Sequence, residues 1–300
     1  MDLNVLNEMQ KLAVTTTEGP VMVMAGAGSG KTRVLTYRIA YLIESLGIDP
    51  YNILAVTFTN KAANEMKERV EKLLDMNVKN LWISTFHSFC ARFLRREIYV
   101  LGKYRPNFII IGEDDALKIL KEEMKDKDFH LTSKDVMYFI SLAKNDEALP
   151  KMDNVDRSEF DTIYSLYQEH LVRENLLDFD DLISLTVHIL EEFLPIREKS
   201  AALFNYIMID EFQDTSILQW QNFLPLVHNS LSEGKMNLLV GDAKQAIYRF
   251  RSGEVEQIIK LPYIHGLENN PFKEECENTF KENYDPCLLK SNYRSKKNNS

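Results

Sequence analysis

Five short apolar runs mark the chain: Val21-Met22-Val23-Met24, Ile53-Leu54-Ala55-Val56, Leu81-Trp82-Ile83-Ser84, Tyr206-Ile207-Met208-Ile209 and Leu238-Leu239-Val240. They lack the polar alternation of a half-exposed strand, as strands do when both faces of a parallel sheet are covered. Apolar positions recur at helical spacing over Thr32–Ser45, Lys61–Leu74 and Thr215–Val227. Strand followed by helix, repeated, is the rhythm of βαβ units and predicts an α/β fold around a central parallel sheet. That rhythm breaks in the middle of the chain. Ala116–Met124, Lys134–Ala143, Glu159–Arg173 and Phe179–Phe193 all have helical spacing, and no strand-like run separates them. The pattern predicts an all-α insertion there. The stretch from 268 to 285 is polar and predicts a surface excursion.

Charge sharpens the boundary. The 300 residues carry 36 Lys+Arg against 45 Asp+Glu, a net charge of -9. Arg92 to Lys199 holds 16 basic and 23 acidic residues, so -7 of the charge belongs to the predicted insertion and the α/β part is nearly neutral. An acidic chain lacks the usual basic footprint of a nucleic-acid binder. Tracking a single strand needs only a local basic, aromatic groove, so net charge does not exclude it. At 45% hydrophobic and 27% charged, disordered and fibrous classes are excluded. No run approaches the roughly 20 apolar residues of a membrane span, and Met1-Asp2-Leu3-Asn4 does not open a secretory signal. Cys90, Cys276 and Cys287 form no CxxC pair, which argues against a zinc site or disulfide framework. A cytoplasmic protein without a membrane partner is expected.

Ala25-Gly26-Ala27-Gly28-Ser29-Gly30-Lys31-Thr32 follows the first predicted strand and opens a helix. Phosphate binding needs small residues so that successive N–H groups converge on the oxygens. It also needs a lysine for the β/γ charge, a hydroxyl for Mg²⁺ and a helix N-terminus behind them. All are present, with Ala25 where the strict pattern has glycine. A plain glycine-rich turn is the competing reading, and the strand–loop–helix context disfavours it. Ile207-Met208-Ile209-Asp210-Glu211 is an apolar strand ending in two carboxylates, which places Asp210 for Mg²⁺ and Glu211 to polarise an attacking water. Alone, such a pair reads as a solvated turn; beside the loop it reads as catalytic. Gly241-Asp242-Ala243-Lys244-Gln245 ends another strand, and Gln245 is suited to sensing a γ-phosphate. Tyr248-Arg249-Phe250-Arg251 alternates aromatic and basic residues, an arrangement in which rings stack bases at about 1–3 kcal/mol each and arginines neutralise phosphates.

With these residues in view, the chain resembles the UvrD/Rep/PcrA-like helicases of superfamily 1. Leu6-Asn7 with Gln10 and Ala13 matches the Q motif. Thr57-Phe58-Thr59-Asn60-Lys61-Ala62-Ala63 matches motif Ia, and Ser84-Thr85-Phe86-His87-Ser88-Phe89 motif Ib. Asp178-Phe179-Asp180-Asp181-Leu182 is similar to a short acidic motif of the family's helical insertion. Asp210-Glu211-Phe212-Gln213-Asp214 matches motif II, Gly241 to Gly253 motif III, and Leu289-Lys290-Ser291-Asn292-Tyr293-Arg294-Ser295 motif IV. The resemblance implies a RecA-like P-loop domain interrupted by a helical subdomain. On it, residues 1–91 and 200–286 are motor domain 1A, 92–199 the insertion 1B, and 287–300 the start of a second RecA-like domain, 2A.

The resemblance also implies ATP and Mg²⁺ as cofactors. Lys31 and Thr32 would hold phosphate and metal, Asp210 the metal, and Glu211 would activate water. Gln245 would couple the γ-phosphate to motif III, and Arg294 would reach that phosphate. Gln10 would contact adenine and Tyr293 stack on it, with Arg33 also at the nucleotide. Phe58, Asn60, Phe86, His87, Tyr248, Phe250 and Arg251 would meet single-stranded DNA, with duplex junctions as further substrate. Translocation from 3′ to 5′ is implied, along with a possible nuclease or repair partner. Motifs V and VI would follow Ser300. The chain alone is therefore expected to bind ATP weakly, hydrolyse it very slowly and unwind nothing. Phe250 and the long gap before Leu288 are more similar to the RecB/AddA branch, making the helicase subunit of a helicase–nuclease the alternative. A P-loop small-molecule kinase leaves the Asp-Glu-Phe-Gln-Asp and Tyr-Arg-Phe-Arg segments unexplained. A non-motor ATP-binding, DNA-associated protein is disfavoured by the intact Lys31, Thr32, Asp210, Glu211 and Gln245.

Overall fold

The structure, a computed structural model, describes residues 1–17, 21–26, 28–78, 81–125, 127–247, 253–267, 270 and 272–289. It contains strands β1 (Val21–Ala25), β2 (Ile53–Thr57), β3 (Trp82–Thr85), β4 (Ile109–Ile110), β5 (Leu176–Leu177), β6 (Tyr206–Ile209), β7 (Met236–Gly241) and β8 (Asp285–Leu289). The helices are α1 (Glu8–Thr15), α2 (Lys31–Glu44), α3 (Asn60–Leu74), α4 (Phe86–Glu97), α5 (Glu113–Met124) and α6 (Ser133–Lys144), then α7 (Asn154–Glu174), α8 (Phe179–Glu192), α9 (Leu194–Leu203), α10 (Ile217–Ser232), α11 (Glu256–Lys260) and α12 (Lys273–Asn283). Two compact units emerge, one formed by Met1–Phe89 with Leu194–Ser300, the other by Cys90–Phe193.

The first unit is built on a six-stranded sheet in the order β3-β2-β6-β7-β1-β8, every neighbouring pair parallel. It is a RecA-like α/β fold. Every residue of β2 is buried, as the unbroken apolar run requires of an inner strand. Val23, Ala55, Met208 and Val240 join one core with Ala13 and Val14 of α1, Val34, Leu35 and Ile39 of α2, and Met66 and Val70 of α3. By strand alternation the equally buried Leu54, Val56, Ile207 and Ile209 face the other side. An aromatic cluster forms there: Trp82 meets Phe204 at 5.0 Å, Phe89 meets Phe223 at 5.0 Å, and Phe86 stands edge-on to Phe223 at 5.2 Å. Arg38, buried on α2, donates to the Ala13 carbonyl and ties α1 to the helix behind the phosphate loop.

The second unit gathers α5, α6 and α7 around Leu120, Val136, Ile140, Phe160, Ile163, Tyr167 and Leu171. It is not purely helical. β4 and β5 pair in parallel over two residues, Ile109 with Leu176 and Ile110 with Leu177. The acidic motif proves structural here. Asp178 caps α8 and shares a capping box with Asp181. Lys144 of α6 pairs with both, at 2.6 Å and 2.7 Å, and Tyr167 of α7 donates to Asp178 at 2.9 Å.

Three boundaries differ from expectation. The helical unit ends at Phe193 rather than 199, because α9 packs on α10 in the first unit. Residues 287–289, expected at the start of a second domain, lie in β8, which pairs with β1 at the sheet edge from Val21↔Asp285 to Ala25↔Leu289. The polar stretch before it holds α12, whose Cys276 and Phe280 are buried one helical turn apart.

Candidate functional site

β1, β6 and β7 are neighbours or near neighbours in a parallel sheet, so their carboxyl ends open on one edge. β1 ends at Ala25 and runs through the loop into α2. Gly28 and Gly30 have φ of 75° and 94°, a region costly to any residue with a Cβ. At Gly30 a Cβ would also stand 2.7 Å from Gln10 Nε2. That amide donates to the Ser29 carbonyl at 2.9 Å while its oxygen accepts from the Asn7 N–H at 3.2 Å. Gln10 is thus 2% exposed and committed at both ends. It braces the loop. The Ser29 N–H and hydroxyl both donate to the Gly26 carbonyl, at 3.1 Å and 2.7 Å, closing the turn.

Lys31 is nearly buried, and its Nζ lies 3.2 Å from Glu211 Oε2 and 3.3 Å from Gln245 Oε1. One ammonium therefore joins the loop, the end of β6 and the turn after β7. Thr32, half-buried, follows it on the first turn of α2. Asp210 is 4% exposed, and burial, with Glu211 adding and Lys31 opposing, pushes its carboxyl up to about 7. A carboxylate so short of compensating charge suits a cation ligand. Glu211 adopts a φ of 54°, an uncommon conformation for a non-glycine residue that swings its side chain out of the strand line.

Polar side chains absent from the sequence-based site knit this edge together. Gln213 Nε2 donates to Glu211 Oε2 at 2.6 Å and to Asp214 Oδ2 at 2.9 Å, and Gln213 Oε1 accepts from the Asp242 N–H at 2.9 Å. Gln245 Nε2 donates to Asp242 Oδ2 at 2.6 Å. Gln213 lies within the motif II match, but no role follows from the sequence; its burial and hydrogen bonds supply one.

Other predicted residues fall unevenly. Arg33 is exposed with its guanidinium over Tyr37 at 5.7 Å, along its own helix and outside the phosphate network. Phe58 is half-buried at the end of β2, and Asn60 is exposed at the start of α3, which Thr59 caps through the Ala62 N–H. His87 is half-buried, and burial pulls its pKa down, favouring the neutral ring. Phe86 does not fit the DNA role expected of it: at 2% exposed and packed against Phe223, it offers no face to a base. Ala27, Tyr248, Phe250, Arg251, Tyr293 and Arg294 lie outside the described residues.

Comparison with known proteins decides the lineage of this edge. The family model described as UvrD/REP helicase N-terminal domain matches residues 6–263. The chain belongs to the UvrD/REP helicase family. It is 41% identical over 281 residues to the ATP-dependent DNA helicase PcrA of Staphylococcus aureus, covering 91% of this chain. The PcrA helicases of Bacillus subtilis and Staphylococcus epidermidis are each 40% identical over 98% of it. In each case the UvrD/REP-family chain spans 38% of the relative's length. Among the described residues no helix is long and apolar enough to cross a membrane.

Proposed function

We propose that the chain forms the ATP-binding portion of an ATP-dependent DNA helicase that moves 3′ to 5′ on single-stranded DNA and engages duplex junctions. One observation carries the reading: Lys31, Glu211 and Gln245, from three separate segments, converge on one sheet edge beside Asp210 and a loop with glycines at its two positive-φ positions, 28 and 30. The PcrA relatives support the UvrD/PcrA branch over a RecB/AddA-type helicase–nuclease.

In this reading Lys31 leaves Glu211 to meet the β/γ-phosphates, while the N–H groups at the start of α2 receive the same oxygens. Freed of its ion pair, Glu211 accepts the proton of the attacking water. Its position is held by Gln213. Gln245 exchanges Lys31 for the γ-phosphate and reports its presence to Asp242. Thr32 and Asp210 would hold Mg²⁺, which neutralises developing phosphate charge. Among the described residues no three His, Cys, Asp or Glu side chains gather for a metal, so such an ion would draw its other ligands from nucleotide and water. Phe58, Asn60 and His87, with Tyr248, Phe250 and Arg251, would contact the strand. Arg294, Tyr293 and a second motor domain would complete the ATP site.

Binding of a fluorescent ATP analogue to the purified chain, with and without Mg²⁺, tests this. Lys31→Ala removes a charge-assisted contact of about 1.5–3 kcal/mol, so affinity should fall about tenfold or more. Equal affinity in wild type and Lys31→Ala would sink the assignment.

A further inference from the structure

α6 carries two stripes. Val136 and Ile140 belong to the core of the helical unit. Lys134, Met137, Tyr138 and Ser141, also spaced three and four apart, line a cleft of about 660 Å³. α5 supplies a second wall through Glu113 and Leu117, and Phe179 and Asp180, at the start of α8, complete the lining. The floor is the outer edge of the core itself: Ile111, Ala116 and Ile140, all buried. Two large rings border it in solvent, Tyr138 at 58% exposed and Phe179 at 52%. An apolar floor with exposed rings and a polar rim is the anatomy of a surface that meets a partner.

The charges around the cleft do not balance. Asp178, which also lines it, is spent on Lys144 and Tyr167. Asp180 accepts from the Asn145 amide at 2.9 Å but has no cation at ion-pair distance among the described residues. Burial, opposed by Asn145 and reinforced by Asp178, raises its carboxyl above the ordinary value. Glu113 is exposed on the first turn of α5 and makes no ion pair among the described residues. Against these two carboxylates the described lining sets Lys134 alone. The segment from 92 to 199 adds its own net charge of -7. Such a field repels a phosphate backbone and draws in a cation. Rings beside carboxylates favour lysine or arginine further, since the face of a ring attracts a cation.

We propose that this cleft is a docking site for a short, basic and apolar segment of a partner protein. Apolar side chains of the segment cover Ile111, Ala116 and Met137, and a lysine or arginine beside them meets Glu113 and Asp180. From Lys134 to Ser141 the wall is about 10 Å long, room for about three extended residues or two helical turns. A contact of this size suits a weak, reversible partner. None of these residues belongs to the network around Lys31, so the site stands apart from the ATP and DNA reading.

Fluorescence anisotropy on the purified chain tests it. The probes are a short labelled peptide of lysine and leucine, its glutamate–leucine and lysine–serine counterparts, and oligo-dT. The lysine–leucine peptide should bind about tenfold more tightly than either counterpart. Tyr138→Ala should weaken it about tenfold, as loss of an aromatic anchor does. Glu113→Lys should weaken it about three- to tenfold, by an amount that shrinks as salt rises. Both side chains are exposed, so both variants should keep the wild-type thermal midpoint. Glu122→Lys makes the same charge change on the opposite side of α5, nine residues on, and should leave affinity unchanged. Equal affinity for the acidic and basic peptides, or no peptide binding at all, would overturn the inference. Peptide binding that Tyr138→Ala and Glu113→Lys leave untouched would do the same. So would a self-associated chain that Tyr138→Ala dissociates, because a second copy would then fill the cleft. Loss of oligo-dT binding in Tyr138→Ala would make the cleft a strand surface instead.

Discussion

At the scale of single residues, burial decides between roles that a motif leaves open. Phe86 sits in a segment that matches a DNA-contacting motif, but its ring is packed against Phe223. Truncating such a ring costs about 3–5 kcal/mol through lost burial and the cavity left behind. Phe86→Ala should therefore lower stability in urea unfolding by about that amount, and should leave oligo-dT affinity unchanged where the protein is still folded. The opposite pattern, stability kept and affinity lost, would make Phe86 a stacking platform. Gln10 teaches the same lesson. Its place in the Q motif suggests adenine, whereas the structure spends its amide on Ser29 and Asn7. Gln213 is the converse: the motif that contains it suggests no task, and three hydrogen bonds give it one.

Elements were legible in proportion to how apolar they are. β2, β6 and β7 are inner strands, and unbroken runs such as Ile53 to Val56 announce them. β8 is an edge strand among the described residues and begins Asp285-Pro286, where a proline costs little because one side has no partner strand among them, so its sequence resembles a loop. α12 buries only Cys276 and Phe280 among charged neighbours, too thin a stripe to read as a helix. In the helical unit the legible acidic motif was assigned to family likeness, and the structure gives it a physical task. Lys144 is drawn among Asp178, Asp181 and Tyr167, so three helices meet at one buried charge cluster. Removing the cation leaves two buried carboxylates unpaired, and Lys144→Met should destabilise the chain by about 3–5 kcal/mol. Burial, opposed by Lys144 and reinforced by Asp178, pushes the Asp181 carboxyl up to about 7 from 3.8. The folded state then holds a proton that the unfolded state releases between these values, so this group's contribution falls as pH rises through that window. Thermal unfolding from pH 4 to 8 should show Asp181→Asn gaining on wild type as pH increases. No change in that difference with pH would remove Asp181 as its source.

For the molecule as a whole, the network around Lys31 belongs to one of two units. Every group that converges on Lys31 comes from Met1–Phe89 or Leu194–Ser300, while Cys90–Phe193 has its own core and its own buried ion cluster. Ligand binding stabilises what it touches: at a hundredfold excess over Kd the gain is about 2.7 kcal/mol, carried by amides whose opening disrupts the site. Hydrogen exchange followed by mass spectrometry, with and without saturating ATP and Mg²⁺, should therefore slow at Ser29–Val34, around Glu211–Thr215 and along Asp242–Ile247. Cys90–Phe193 should exchange at the same rate in both conditions, because none of its groups enters the network around Lys31. The 212–215 turn separates two possibilities. Protection there would mean that nucleotide occupancy reaches past Glu211 through Gln213, whereas protection ending at Glu211 would confine ATP to a local effect. Slowing of equal size throughout the helical unit would show that the two units share their stability, and the division of labour between them would have to be abandoned.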